Sequence, residues 1–554
     1  MIVNADINDK HFGARQLFNN LHISLNKNEK VGLIGRNGTG KSTLFNILSG
    51  TDKDFDGKIQ FAKGVIAIST RQEHLGLDKK LCLEYILNEL PDYSRLKHII
   101  DTYPNSMQTS PKKMDVYSDA LEQFSSLGYY LVEATVLQQL AGYQITEAMA
   151  KGPLNQLSGG QKRFVELVKV THAKADLALI DEPTNHMDYL AKQNFIKWIQ
   201  DVHNMTVLII THDRDVLREV DRIIEIKDGQ TSEFNGNYTA YLNQNRVTTV
   251  NQIGDYETAQ RTISNLHKQI ISARTKKLAA PPDTAKKFRV MEDRLQRQYD
   301  ALQASAEKPS FWIDQENVTQ MPSKVSESYH KYKAKNIHID KVSPNPKGAV
   351  LPLIEIHNLK LGYDYPLFKN VSFNLKESSR LRLHGCNGAG KTTLVNYILK
   401  TAGLKITTAQ VFEGKIILRP NINIGVYEQE ISPKYLNLPL ELAIERLYLD
   451  RKLSINSQRI RQLMSNYLFD PIIDAKTTLI NLSGGQKARF QLINMLSNDP
   501  QLLILDEPTN HLDLPSIEEL ENALLSYRGA IIFVSHDGYF VNKFIHQTVQ
   551  IGNI

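Results

Sequence analysis

Two short stretches, Gly35-Arg-Asn-Gly-Thr-Gly-Lys-Ser42 and Gly385-Cys-Asn-Gly-Ala-Gly-Lys-Thr392, have the residue types and spacing of a loop that holds a phosphate chain. Glycines bare backbone N–H groups, and a helix opening at the end of the loop adds a dipole that favours negative charge. The expected cradles are Gly35, Asn37, Gly38 and Gly40, and Gly385, Asn387, Gly388 and Gly390. Lys41 and Lys391 are placed to neutralise β- and γ-phosphates, and Ser42 and Thr392 to ligate Mg²⁺ through their hydroxyls. Thr43 and Thr393 follow in the opening turn of each helix.

Acids stand where such a ligand needs them. Leu177-Ala-Leu-Ile180 runs into Asp181-Glu182, and Leu502-Leu-Ile-Leu505 into Asp506-Glu507. A carboxylate at the carboxyl end of a parallel strand faces the ligand crevice. Asp181 and Asp506 suit Mg²⁺, often through water. Glu182 and Glu507 suit the general base that polarises an attacking water; the plainer reading is a salt-bridged strand end. His212 and His536 end a further apolar run about 30 residues later and are candidates to touch the γ-phosphate. Gln72 and Gln429 follow β-rich runs; each is either a Mg²⁺ or water contact or an ordinary exposed glutamine. Phe12 and Tyr363 precede the second strand of each half, where a ring either stacks on adenine or belongs to the core.

The elements that must position these groups are duplicated. Leu157-Ser-Gly-Gly-Gln161 recurs as Leu482-Ser-Gly-Gly-Gln486, and Asp181-Glu-Pro-Thr-Asn-His186 as Asp506-Glu-Pro-Thr-Asn-His511. The apolar, β-branched runs before the loops and acids are buried parallel strands. The expected architecture is α/β: two P-loop nucleotide-binding domains, 1–243 and 351–554, joined by an antiparallel helical hairpin within 244–350. The loops are offset by 350 positions and the later motifs by 325, so the first copy carries extra residues, placed near 88–124. That stretch is either a tolerated surface loop or a partner-binding arm.

In the spacer, Ile263, Leu266, Ile270 and Ala273, then Phe288, Met291, Leu295 and Leu302, mark two helical seams separated by Pro281-Pro282. Residues 244–350 hold 18 Lys and Arg against 11 Asp and Glu, whereas the whole chain has a net charge of +6. The surplus positive charge therefore lies in the spacer. Arg274, Lys276, Lys277, Lys286, Lys287 and Arg289 crowd the turn. They are either a solvated charged tip or a contact for a nucleic-acid backbone. Lys331, Lys333 and Lys335 alternate with tyrosines further on and either grip RNA or pack back on the second half.

With 554 residues, 41% apolar and 23% charged, the chain is long enough for several buried cores. Two cysteines exclude a disulfide framework and fit a reducing, cytoplasmic compartment. No apolar run reaches a membrane-spanning length, and Met1–Lys10 lacks the apolar core of a leader.

With both Leu-Ser-Gly-Gly-Gln motifs present, the chain resembles twin-cassette ATPases of the ABC superfamily. Within it, the chain is similar to the ABC-F group, which lacks membrane domains and joins its cassettes by a charged helical linker. Asn235–Leu242 before the spacer and Lys308–Asp314 within it carry that second resemblance. It implies that each ATP is sandwiched between one loop and the opposite signature. Lys41, Ser42, Gln72, Asp181, Glu182 and His212 would then work with Ser483, Gly485 and Gln486. Lys391, Thr392, Gln429, Asp506, Glu507 and His536 would work with Ser158, Gly160 and Gln161. Asp188 and Asp513 would couple the sites. It further implies a monomer that binds ATP and Mg²⁺ and a ribosomal partner, with rRNA or tRNA at the linker. The alternatives are an antibiotic-resistance factor that protects the ribosome, and the ATPase subunit of a membrane transporter.

Overall fold

The structure is a computed structural model. It describes residues 1–305 and 352–552, apart from 14, 72, 73, 75, 105–110, 186, 280, 429, 430, 468, 473, 483 and 511. The chain divides into two compact units, Met1–Tyr238 with Ile337–Ile554, and Thr239–Asn336.

The first unit contains the duplicated fold. Its first copy comprises β1 (Val3–Phe12), β2 (Arg15–Leu25), β3 (Lys30–Gly35), β4 (Asp56–Phe61), β5 (Ala67–Ser69), β6 (Leu177–Asp181), β7 (Thr206–Ile210), β8 (Arg222–Lys227) and β9 (Gln230–Asn235). An antiparallel sheet of order β2-β1-β4 stands beside a sheet of order β5-β6-β7-β3-β8-β9, parallel except for β9. The second copy comprises β10 (Ile354–Gly362), β11 (Pro366–Leu375), β12 (Arg380–His384), β13 (Gln410–Leu418), β14 (Ile424–Tyr427), β15 (Leu502–Asp506), β16 (Ala530–Val534) and β17 (Gln547–Gln550). Its sheets have the orders β11-β10-β13 and β14-β15-β16-β12-β17.

Alternation along each central strand explains why these runs are apolar throughout. Leu177 and Leu179 of β6 and Leu208 and Ile210 of β7 face a core shared with Val3, Ile7, Leu44 and Leu48. Their neighbours Ala178, Ile180, Val207 and Ile209 face the other way, against Phe164, Phe195 and Trp198. A strand buried on both faces has no room for polar residues until it ends. In the first copy β3 lies between β7 and β8, and β6 flanks β7. Parallel strands bring their carboxyl ends to one edge. The phosphate loop, Asp181 and His212 therefore gather there.

The extra residues of the first copy form helices Tyr93–Thr102 and Pro111–Ser126. Leu96, Ile99, Ala120 and Phe124 are buried in the core of that copy. Tyr93, Phe124 and Tyr129 form a ring cluster with centroids 5.3–5.7 Å apart. The described residues of the stretch are thus helical and packed on that core.

In the second unit, helix Tyr238–Ala279 is followed by Pro282–Ser305. Proline suits that second start, because the first helical N–H has no intrahelical acceptor. Ile270, Ala273 and Leu295 are buried between the helices, with Leu266 and Tyr299 against them. Met291, expected in the seam, is half exposed, and the longer ring of Tyr299 covers the seam instead. The 309–348 stretch and the Lys308–Asp314 motif lie outside the described residues.

Candidate functional site

Each phosphate loop is a tight strand-to-helix turn. Gly40 and Gly390 cap helices Lys41–Leu48 and Lys391–Thr401 at φ 95° and 96°. A Cβ on Gly40 would lie 2.6 Å from the Phe18 ring, and one on Gly390 2.8 Å from the Phe368 ring. Handedness and close packing together require glycine. The buried Lys41 ammonium donates to the carbonyls of Gly35 (2.7 Å) and Arg36 (3.1 Å), and Lys391 to Gly385 (2.7 Å) and Cys386 (2.9 Å). Burial lowers both lysine pKa values, while nearby acids oppose the shift. An entering phosphate would exchange weak carbonyl partners for an anion.

Ser42 Oγ donates to Asp181 at 3.0 Å, and Thr392 Oγ1 to Asp506 at 3.0 Å. Each copy thus pairs a hydroxyl with a carboxylate oxygen at the mouth of the loop. That donor set fits Mg²⁺, which binds one or two protein oxygens and takes the rest from phosphate and water. Among the described residues no cluster of three or more His, Cys, Asp or Glu could cage a metal.

Glu182 and Glu507 follow those aspartates with φ 44° and 48°. The left-handed region is strained for a non-glycine residue, by roughly 1–3 kcal/mol. The strand beside each one fixes the turn: Glu182 N donates to Ile210 O and Glu507 N to Val534 O, both at 2.9 Å. Burial first, then the adjacent aspartate, pushes Glu182 up to about 8 and Glu507 up to about 7. Such an acid is a base poised near neutrality. His212 Nε2 lies 3.6 Å from Glu182, and His536 Nε2 lies 3.2 Å from Glu507. Burial and the loop lysine hold both imidazoles down to about 3, so each is neutral at pH 7. The buried ring nitrogens of His212 have no hydrogen-bond partner here. A γ-phosphate would supply one.

The two copies face each other through these loops. Asn37 N donates to Asp513 at 2.9 Å, and Asn387 N donates to Asp188 at 3.1 Å. Each loop is therefore touched by an aspartate of the opposite copy. A cavity of about 610 Å³ joins Lys41, Ser42, Glu182 and His212 to Glu507 and His536, with Phe12 on its wall. A second, of about 540 Å³, joins Arg36–Thr39 to Arg489 of the opposite signature helix. A third, of about 340 Å³, is lined by Lys391, Thr392, Asp506 and Glu507.

Not every expected residue joins them. Tyr363 is exposed and is not among the residues lining the Lys391 cavity, and neither are Ser158, Gly160 and Gln161. Ser158 and Gln161 satisfy each other as a capping box of helix Gly159–His172. Gly485 and Gln486 open helix Gly484–Leu496, where the Gln486 amide donates to Asp474 at 3.0 Å. Gln72, Gln429 and Ser483 lie outside the described residues. In the spacer, Arg274 and Lys277 bond Glu292 at 2.6 and 3.0 Å, so part of the expected basic cluster is internally paired. Lys276, Lys286, Lys287 and Arg289 are exposed. Sequence reasoning missed Lys192, Arg214 and Arg382. The other copy has Ile517, Gly538 and Gly32 at those positions, but the copies differ at so many others that the mismatch alone does not single them out.

Paired phosphate loops, strand-end acids and reciprocal aspartate contacts define a twin-cassette ATPase. The ABC transporter family profile matches residues 18–185 and 368–510, and a second profile of the same description matches 224–313. The chain belongs to this family, as a twin-cassette ATP-binding protein of ABC-F type. It is 29% identical to the putative ATP-binding protein YdiF of Bacillus subtilis, over 100% of this chain and 80% of the relative. It is 28% identical to the ribosome protection protein VmlR of the same organism, over 97% and 84%. In fold it is similar to a solved complex of an archaeal ribosomal stalk protein and the recycling factor aABCE1, with TM-score 0.56 and 16% identity, over 98% and 87%. Among the described residues no helix is long and apolar enough to cross a membrane.

Proposed function

We propose that this chain is a ribosome-associated ATPase that modulates translation. ATP binding closes the cassettes, and hydrolysis reopens them. Lys41 and Lys391 hold the phosphates; Ser42 with Asp181 and Thr392 with Asp506 would hold Mg²⁺, which when bound would supply positive charge beside the phosphates. Glu182 and Glu507 take the proton of the attacking water, while His212 and His536 orient the γ-phosphate. The basic helical hairpin meets rRNA or tRNA when the cassettes are closed, so nucleotide state sets the population of the binding-competent shape.

The observation that carries this reading is the reciprocal contact of Asp188 and Asp513 with the opposite loops, which makes closure depend on both loops. The exposed Lys276, Lys286, Lys287 and Arg289 and the likeness to VmlR support an RNA partner. The test is sedimentation of the Glu182→Gln, Glu507→Gln chain with ATP. Co-migration with ribosomes in ATP but not ADP is expected; a chain that stays free of ribosomes in ATP overturns the reading. The likeness to the ribosome protection protein VmlR also favours a second reading, ribosome protection, which we take to be against an antibiotic. A change in drug susceptibility on expression distinguishes it.

A further inference from the structure

Lys192 lies in helix Tyr189–Asp201, four residues after Asp188, and its side chain is 6% exposed. Its ammonium is 2.9 Å from Asp213 and 2.6 Å from Asp215 of its own cassette. It also donates to the backbone carbonyl of His536, in the other cassette, at 3.3 Å. Asp213 is the residue after His212. One buried cation thus joins the neighbour of His212 to the main chain of His536. The second cassette comes close here because residue 538 is glycine: a Cβ there would lie 3.0 Å from an Asp215 carboxylate oxygen.

The other half of the interface lacks this link. The register of the two copies places Ile517 where Lys192 stands, and Ile517 is buried in the core of its own cassette. The neighbouring contact is one-sided as well. Arg214 bonds Glu521 across the interface at 3.0 Å, while Gly538 and Ile196 occupy the matching positions.

We propose that Lys192 is a positioning residue that couples the two nucleotide sites through one half of the interface alone. A buried ammonium cannot leave its carboxylates uncompensated without a large penalty. When a γ-phosphate at the first site draws on His212, Asp213 moves with it. Lys192 follows Asp213, and the His536 carbonyl follows Lys192. The proposal rests on the assignment of Glu182 and Glu507 as the hydrolytic bases.

The test compares the full-length parent with Lys192→Met, Lys192→Arg and the charge-balanced pair Lys192→Met, Asp215→Asn, each with and without Glu507→Gln. Turnover is measured against ATP concentration, and binding of a fluorescent ATP analogue is measured directly. In the parent, a Hill coefficient above 1 is expected, and Glu507→Gln suppresses turnover at the first site. In Lys192→Met and in the charge-balanced pair the Hill coefficient falls to 1, and the suppressed first-site turnover rises about fivefold. Lys192→Arg keeps the parent's coupling. Independent sites in the parent, or unchanged coupling in the charge-balanced pair, would overturn the proposal, as would loss of coupling in Lys192→Arg equal to that in Lys192→Met. A parent that binds no analogue overturns the site assignment itself, whereas binding with unaltered coupling overturns only the role of Lys192.

Discussion

At the first site the strand before the phosphate loop reads Lys30-Val-Gly-Leu-Ile-Gly35; at the second it reads Arg380-Leu-Arg-Leu-His-Gly385. Gly32 is packed so closely that a Cβ there would lie 2.7 Å from Leu217. Arg382 fills the matching position and donates to the Ser535 carbonyl at 3.1 Å. The His536 backbone N–H, then Lys391, and last Arg382 pull Glu507 back down to about 7; Lys41 and the His212 backbone act on Glu182, which stands at about 8. The two glutamates share a backbone conformation, a strained φ and an aspartate neighbour. A local motif can therefore be copied faithfully while a residue outside it adds a smaller contribution to the proton affinity of its base.

The largest effect that tests this comparison comes from disabling one base at a time. Glu182→Gln and Glu507→Gln should each lower turnover at their own site by about 10²–10⁴-fold. The surviving base must be ionised, so kcat/KM should rise with pH through its folded-state pKa. The half-maximum is expected near pH 8 when Glu182 survives and near pH 7 when Glu507 survives. Coincident profiles would erase the distinction. A smaller effect is expected from Arg382→Met in the Glu182→Gln chain. Losing that cation favours the protonated acid, so the rising limb should move to higher pH; an unmoved limb would mean that Arg382 serves only the Ser535 carbonyl. Least of all, Phe12→Ala should raise the KM for ATP by roughly 2–10-fold, the worth of one ring contact, with Tyr363→Ala changing it less. Equal effects would show that lining a cavity beside the phosphate loop, as Phe12 does and Tyr363 does not, is a poor guide to stacking.

The loops and strand-end acids were legible because their geometry is local. A glycine-rich turn between a buried strand and a helix places Lys41 and Ser42 within a few residues, and β6 carries Asp181 to the same edge. Lys192 was not legible, because its partner carbonyl is 344 positions away and only the fold brings the two together. The helical seam was read correctly at Ile270, Ala273 and Leu295 but not at Met291. Two helices can choose between neighbouring apolar stripes, and spacing alone does not say that Tyr299 will cover the contact. Of the expected signature contacts, the Ser158 hydroxyl caps its own helix, a demand that any helix start imposes whether or not a nucleotide is present.

The crossed contacts of Asp188 and Asp513 bear on how such a chain can change over generations. Because Asp188 and Asp513 each bond the loop of the opposite half, losing or exchanging one half strips its sibling's loop of that partner. Divergence between the halves must proceed in matched steps across the seam. One-sided pairs such as Arg214 with Glu521 favour union with the opposite half over union with a second copy of the same half, which would lack the matching partner.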